Sequence, residues 1–290
     1  MLLKNWIKDI LSEITYYLYK NNILKNRIRV QSMDETIDLL IEGKKSLVRF
    51  GDGEIVVLRG RNIDSQGSSE EITEGLKRIL SYPYEDLLVA IHGGVESIEE
   101  FQKSSQKFWK EHLFFFRKYY HKFCNQDKTY ANACFSRFYY IYKDKTSCER
   151  WISKIKQIWK DKDIVIVEGI KSHNGVGNDL FDTAKSIERI LCPPKNAYTS
   201  LDRIRQECEK IPKEKLILLS VGVTAKFLAE SLFLEGYRVI DIGNLDLEYE
   251  WYLHKESKKV YYDKYVLETE EENIRAGYLE YLRQIRQRIE

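Results

Sequence analysis

The stretch Asp163–Asp179, DIVIVEGIKSHNGVGND, decides the architecture. After the leading Asp come four β-branched residues without polar alternation, the pattern of a strand buried on both faces of a parallel sheet. The strand ends at Glu168-Gly169 and empties into a loop holding Lys171, Gly175, Gly177, Asn178 and Asp179. Glycines, a lysine and small polar groups in that place can cradle a phosphate, because backbone amides and a cation then face one anion. The loop is neither GxxxxGK[ST] nor GxGxxG, so the common nucleotide fingerprints are absent. The same unit recurs along the chain. Leu87–Ile91 runs into His92-Gly93-Gly94, and Leu216–Val221 runs into Gly222-Val223-Thr224, with a helix expected over 225–235 and a strand over 237–242. His92 reads equally as a phosphate contact, a catalytic group or a structural histidine. Residues 180–191 read as a helix stopped by Pro193-Pro194. Strands that empty into glycine-rich turns define an α/β fold with its ligand crevice at the strand ends.

Arg49–Glu54, RFGDGE, follows the apolar run Ser46-Leu47-Val48 and adds chemistry to that crevice. Gly51 and Gly53 flank Asp52 and permit close approach of a ligand. On an extended segment, Asp52 and Glu54 point to the same side. Their mutual repulsion is removed by a hard divalent cation such as Mg²⁺ or Mn²⁺. The bland alternative is a Gly-Asp-Gly turn with solvated acids. Another acidic stretch, Asp241 to Glu250, contains Asp246 and Glu248.

The 290 residues suffice for one large α/β domain or two small ones, and 32% charged with 43% apolar residues is a globular composition. The net charge of +2 gives no global field for nucleic acid. Cys124, Cys134, Cys148, Cys192 and Cys208 are odd in number and lack CxxC spacing, which favours buried thiols in a cytoplasmic protein over a disulfide framework or zinc site.

Residues 1–30 form a separate N-terminal segment, with Leu3, Ile7, Ile10, Ile14, Tyr17 and Leu18 on one helical face and six Lys/Arg against two acids. Such a helix covers a core, pairs with a second subunit in a homodimer, or lies on the inner face of the cell membrane as a peripheral contact. Packing is the favoured reading. Ser32 and Glu35 spell a capping box for the next helix, which Gly43 ends. Residues 108–142 hold fourteen aromatics interleaved with Lys and Arg, and Arg137 is placed for an anion contact. Aromatic and basic interleaving suits single-stranded nucleic acid or sugar rings. A helix with an aromatic core face and a lysine-rich wet face is favoured. Residues 266–290 read as a charged helix.

RFGDGE at 49–54, SRFY at 136–139, VEGIKSHNGVGNDLFDTAKSIERILCP at 167–193 and VIDIGNLDLEYEW at 239–251 together resemble the GT-D type glycosyltransferases over about residues 40–265. The resemblance implies a single Rossmann-like domain over 31–265, with a mostly parallel sheet flanked by helices. It also implies a UDP-sugar donor, a saccharide acceptor on protein or lipid, and Mn²⁺ or Mg²⁺ served by Asp52 and Glu54. The expected donor-binding set is Arg49, Gly51, Gly53, Arg137, Glu168, Lys171, Gly175, Gly177, Asn178, Asp179, Gly222 and Thr224. Asp246 and Glu248 are the candidate proton acceptors of an inverting reaction. The chain departs from the family at Asn244, where a histidine is frequent, and at His173, where an arginine is expected. A metal-dependent phosphodiesterase and a non-catalytic nucleic-acid or membrane module are the competing readings.

Overall fold

A computed structural model describes residues 2–24, 28–81, 85–262, 264 and 278–290. The described strands form one nine-stranded sheet, in the order β1-β4-β3-β2-β8-β7-β5-β6-β9. They are β1 (Arg29–Val30), β2 (Ser46–Phe50), β3 (Leu87–Ile91), β4 (Thr129–Asn132), β5 (Asp163–Gly169), β6 (Ser186–Cys192), β7 (Leu216–Ser220), β8 (Val239–Asp241) and β9 (Ile285–Arg288). Every pairing is parallel. The inner strands are apolar because helices cover both faces. Ile164, Val165, Ile166 and Val167 of β5 are fully buried, as are Ile217, Leu218 and Leu219 of β7. Each such side chain contributes about 1.5–3 kcal/mol relative to exposure.

The helices are α1 (Leu2–Lys20), α2 (Met33–Ile41), α3 (Asp52–Leu58), α4 (Glu70–Ser81), α5 (Lys103–Phe123), α6 (Cys148–Gln157), α7 (Leu201–Glu209), α8 (Thr224–Leu234), α9 (Leu245–Leu253) and α10 (Tyr278–Gln284). Ser32 and Glu35 form the expected capping box at α2. Helix α5 buries Trp109, Leu113 and Tyr120 and leaves Lys103, Lys107, Lys118 and Lys122 exposed, as its spacing suggested, whereas Lys110 is half-buried against α1. The five cysteines are free and buried. Among the described residues, no helix is long and apolar enough to cross a membrane.

Three expectations fail. Residues 180–191 are not a helix: turns lead into β6, whose seven residues pair one for one with β5. That ladder, with the buried Arg189–Glu168 ion pair across it, outweighs local helical period. Residues 285–288, read as helix, add β9 to the free edge of β6, and Ile289 N–H donates to the Leu191 carbonyl. Residues 266–277 of the expected tail helix lie outside the described residues. Finally, Asp52 and Glu54 stand on helix α3 rather than on an extended turn.

Candidate active site

A cleft of about 580 Å³ opens where β2, β3, β5, β7 and β8 end. Its floor is a buried charge network. Arg49, from the penultimate position of β2, donates from Nε to the Asp241 carbonyl (2.9 Å), from Nη2 to Asp241 Oδ1 (3.2 Å) and from Nη1 to Ser136 Oγ (2.5 Å). Lys226, one turn into α8 and 2% exposed, reaches Glu54 Oε1 at 2.7 Å and Asp241 Oδ2 at 3.1 Å. Gly243 completes the floor. It has φ +48°, and a Cβ there would lie 1.6 Å from Arg49 Nη2, so only glycine fits beside the guanidinium.

The two acids of RFGDGE are divided by this arrangement. On a helix, positions i and i+2 do not face each other. Glu54, at the third position of α3, turns back so that Gly51 N–H donates to its Oε2 at 2.9 Å, while Lys226 holds Oε1. Burial pushes the Glu54 carboxyl up, but the Lys226 ammonium pulls harder and keeps it below the ordinary range. Asp241 behaves likewise, with Arg49 and Lys226 overcoming burial. Asp52 begins the helix. Its carboxylate has no hydrogen-bonding or ion-pairing side chain among the described residues, and it is raised by burial and then by the Glu54 charge. The carboxylate of Asp52 fits a hard cation that takes its remaining ligands from phosphate and water. Glu54 does not fit as it stands, because both its oxygens are engaged and Lys226 already occupies the cation position beside it.

The walls carry cations and rings. Arg137, a third exposed, stands 3.7 Å from Glu248 Oε2. Lys259 lies over the Tyr140 ring, 5.5 Å from its centroid. Both cations lie close enough to Asp52 to oppose the rise of its pKa. Tyr139 and Tyr140 N–H groups donate to Glu248 Oε1 at 3.1 and 2.5 Å, whereas Oε2 is buried without a hydrogen-bond partner among the described residues. Burial raises the Glu248 carboxyl, against the pull of Arg137. His92 is stacked on Trp109 at 4.0 Å, and its Nδ1 accepts from Gly94 N–H. Burial, and then the Arg137 charge, hold its pKa well below normal, so it is a neutral wall residue.

Of the residues expected from sequence, Arg49, Gly51, Asp52, Gly53, Glu54, Arg137, Gly222 and Glu248 line this cleft. Glu168, Lys171, Gly175, Gly177, Asn178, Asp179, Thr224 and Asp246 do not. The glycine-rich loop instead contributes Gly169 and Ser172, and its remainder is tied off behind the wall. Gly175 N–H and Asn178 Nδ2 both donate to Asp246 Oδ1 at 2.8 Å, and Lys264 Nζ holds Asp246 Oδ2 and Glu250 Oε1, each at 2.6 Å. Asp179 pairs with Lys156 and Tyr249. Glu168 accepts from Arg189 and Asn174. These contacts brace the loop, and the buried Glu168 and Asp246 carboxylates are paired because leaving a buried charge unpaired is costly. Sequence reading missed Lys226, which looks like any helix lysine. Its one signal is its place a single turn beyond the Gly222 bend.

An all-parallel sheet with an anion-ready crevice at its strand ends defines a Rossmann-like ligand-binding protein. The chain belongs to the GT-D glycosyltransferase family: the family's model, described as glycosyltransferase GT-D fold, matches residues 47–269. It is 40% identical over 237 residues to a probable glycosyl transferase Gly of Streptococcus gordonii, covering 81% of this chain and 35% of that protein. It is 41% identical over 225 residues to glycosyltransferase GlyD of Streptococcus pneumoniae, covering 77% and 28%. The chain thus spans about a third of the length of these relatives. Among solved structures it resembles a new glycosyltransferase from Streptococcus sanguinis, with TM-score 0.83, 37% identity, and 91% and 100% of the two chains covered. It also resembles a domain of unknown function described as having a distinct glycosyltransferase fold, with TM-score 0.86, 34% identity, and 95% and 100% covered.

Proposed function

We propose that the chain transfers a hexose from a UDP-sugar to a saccharide acceptor on a protein or lipid carrier. The observation that carries the reading is the Asp52 carboxylate at the cleft mouth, which no side chain pairs among the described residues, with Arg137 and Lys259 close by. A diphosphate needs such cations. Helix α8, which begins just past Gly222 at the cleft edge, directs further amide charge toward it. Phe108, 48% exposed, and the half-buried Tyr140 supply ring surface for a base or a sugar.

Asp52 is the residue that would hold Mn²⁺ or Mg²⁺, together with donor phosphate oxygens and water. When bound, that ion supplies neutralisation of the leaving diphosphate. Arg137 and Lys259 share the same charge and orient the phosphates. In transfer the anomeric C–O bond to UDP breaks and a C–O bond to the acceptor oxygen forms. The acceptor hydroxyl proton must then leave. In an inverting reaction Glu248 Oε2 takes it, since Oε1 is occupied by two amides and the raised pKa makes the group a better base. Asp246 is less suited, because both its oxygens are engaged.

The test is UDP release from a panel of UDP-hexoses with Mn²⁺, with and without a saccharide acceptor, in the chain and in Asp52→Asn. Acceptor-stimulated release that is lost in the variant supports transfer. Acceptor-independent formation of UMP and sugar 1-phosphate, without UDP, identifies a phosphodiesterase instead.

A further inference from the structure

Helix α1 is amphipathic, yet it lies with its apolar stripe outward. It packs on α5, and its inward side carries Ser12, Thr15 and Tyr19, all buried, with Tyr19 Oη donating to the Val95 carbonyl. The edges are fastened by Lys8–Glu111, Lys107–Asp9 and Lys110–Glu13. On the opposite arc Trp6, Ile7, Ile10, Leu11, Ile14 and Tyr17 remain 37–64% exposed, and Ile23 beyond the helix is 62% exposed. Among the described residues, these seven are nearly half of the fifteen large apolar side chains left in solvent. Single exposed apolar residues are ordinary, but a contiguous stripe marks a contact surface.

Charge identifies what covers it. Helices α1 and α5 together carry nine Lys/Arg against three acids, in a chain whose net charge is only +2. All three acids, Asp9, Glu13 and Glu111, are already paired with lysines of the two helices. The helix pair is therefore cationic. A second copy seated on the stripe would set like charges against each other across a two-fold contact. Trp6 and Tyr17 suit the headgroup level of a bilayer. We infer that the α1 stripe seats the protein on an anionic lipid surface, with the helix lying in the interface rather than crossing it. Ser105 and Trp109 of α5 also line the cleft, so the helix that carries α1 is itself a cleft wall. Seating α1 on lipid holds the cleft beside acceptors attached to lipid carriers. That consequence rests on the proposed transfer reaction; the lipid contact does not.

The full chain is sedimented with vesicles of phosphatidylcholine alone and with vesicles of phosphatidylcholine and phosphatidylglycerol in equal parts. Binding to the anionic vesicles is expected to be at least about tenfold stronger and to weaken with salt. It is expected to be lost in Ile10→Asp combined with Ile14→Asp, whose melting transition checks the fold. Tyr17→Asp serves as the second variant should that pair unfold. Equal binding to both vesicles, binding that survives the substitutions, or no binding at low salt each overturns the inference. A dimer in light scattering that the substitutions dissolve, without vesicle binding, makes a second copy the occupant. Sedimentation needs no turnover, so a chain that binds anionic vesicles but transfers no sugar refutes the transfer reading alone.

Discussion

Replacing Lys226 by methionine removes one ammonium from between two buried carboxylates and keeps most of its volume. Asp241 retains Arg49, whereas Glu54 retains only the Gly51 N–H and loses its ion-pair partner. Leaving a buried charge without its partner costs about 3–5 kcal/mol. Since Arg49 still serves one of the two acids, the lower end, about 3 kcal/mol, is expected. The pH dependence adds a second readout. In the native chain the Glu54 and Asp241 carboxyls lie below their ordinary values, so their stabilisation is present above the unfolded values of about 4 and is lost as pH falls through the folded ones. In Lys226→Met burial dominates, the Glu54 pKa rises, and its penalty grows with pH instead. The stability gap between the two chains should therefore narrow on acidification. Urea unfolding at pH 7 and at pH 5 measures both effects. A loss below about 1 kcal/mol at pH 7, or a gap that is unchanged at pH 5, refutes the view that Lys226 holds the floor together.

Glu248→Gln should lower turnover by about 10²–10⁴-fold with little change in UDP affinity, since the amide oxygen still accepts from Tyr139 and Tyr140. Steady-state kinetics beside UDP titration separate the two effects, and unchanged turnover removes Glu248 from the reaction. Gly175→Ala should destabilise by about 1–3 kcal/mol, because φ is +80° there and the new Cβ would lie 2.5 Å from the Phe181 ring; thermal unfolding reads the loss.

Much of the sheet was legible because its inner strands are short apolar runs closed by glycine. The strands over 87–91, 163–167 and 216–221 could be read directly from that pattern. β6 could not, since Ser186–Cys192 has mixed polarity and becomes a strand through its neighbour β5 rather than its own pattern. The site was half legible for a related reason. Acids and glycines advertise themselves beyond strand ends, so Asp52, Gly222 and Glu248 were expected there, and they do line the cleft. Which carboxylate is free depends on pairing across the fold. Glu54 is locked by a lysine far along the chain, and Asp246 by an asparagine, a loop amide and Lys264. The glycine-rich loop was misplaced because conformational freedom serves bracing as well as phosphate binding. His173, Asn196 and Gly175 all adopt positive φ in this protein, and none of them lines the cleft.

The seam between β2 and β8 also governs the order of assembly. One side of the sheet grows from β1 to β4; the other is built from β5 to β9. The two sides meet where Arg49 grips Asp241, 192 positions away along the chain. Contacts so distant form slowly, because a long loop must close before they repay its entropy. On the ribosome the cleft floor therefore cannot close until β8 has emerged. The cleft floor depends on a join between the two halves of the sheet, with only β9 left to add at the far edge, and a chain that stalls before that join has strands but no site.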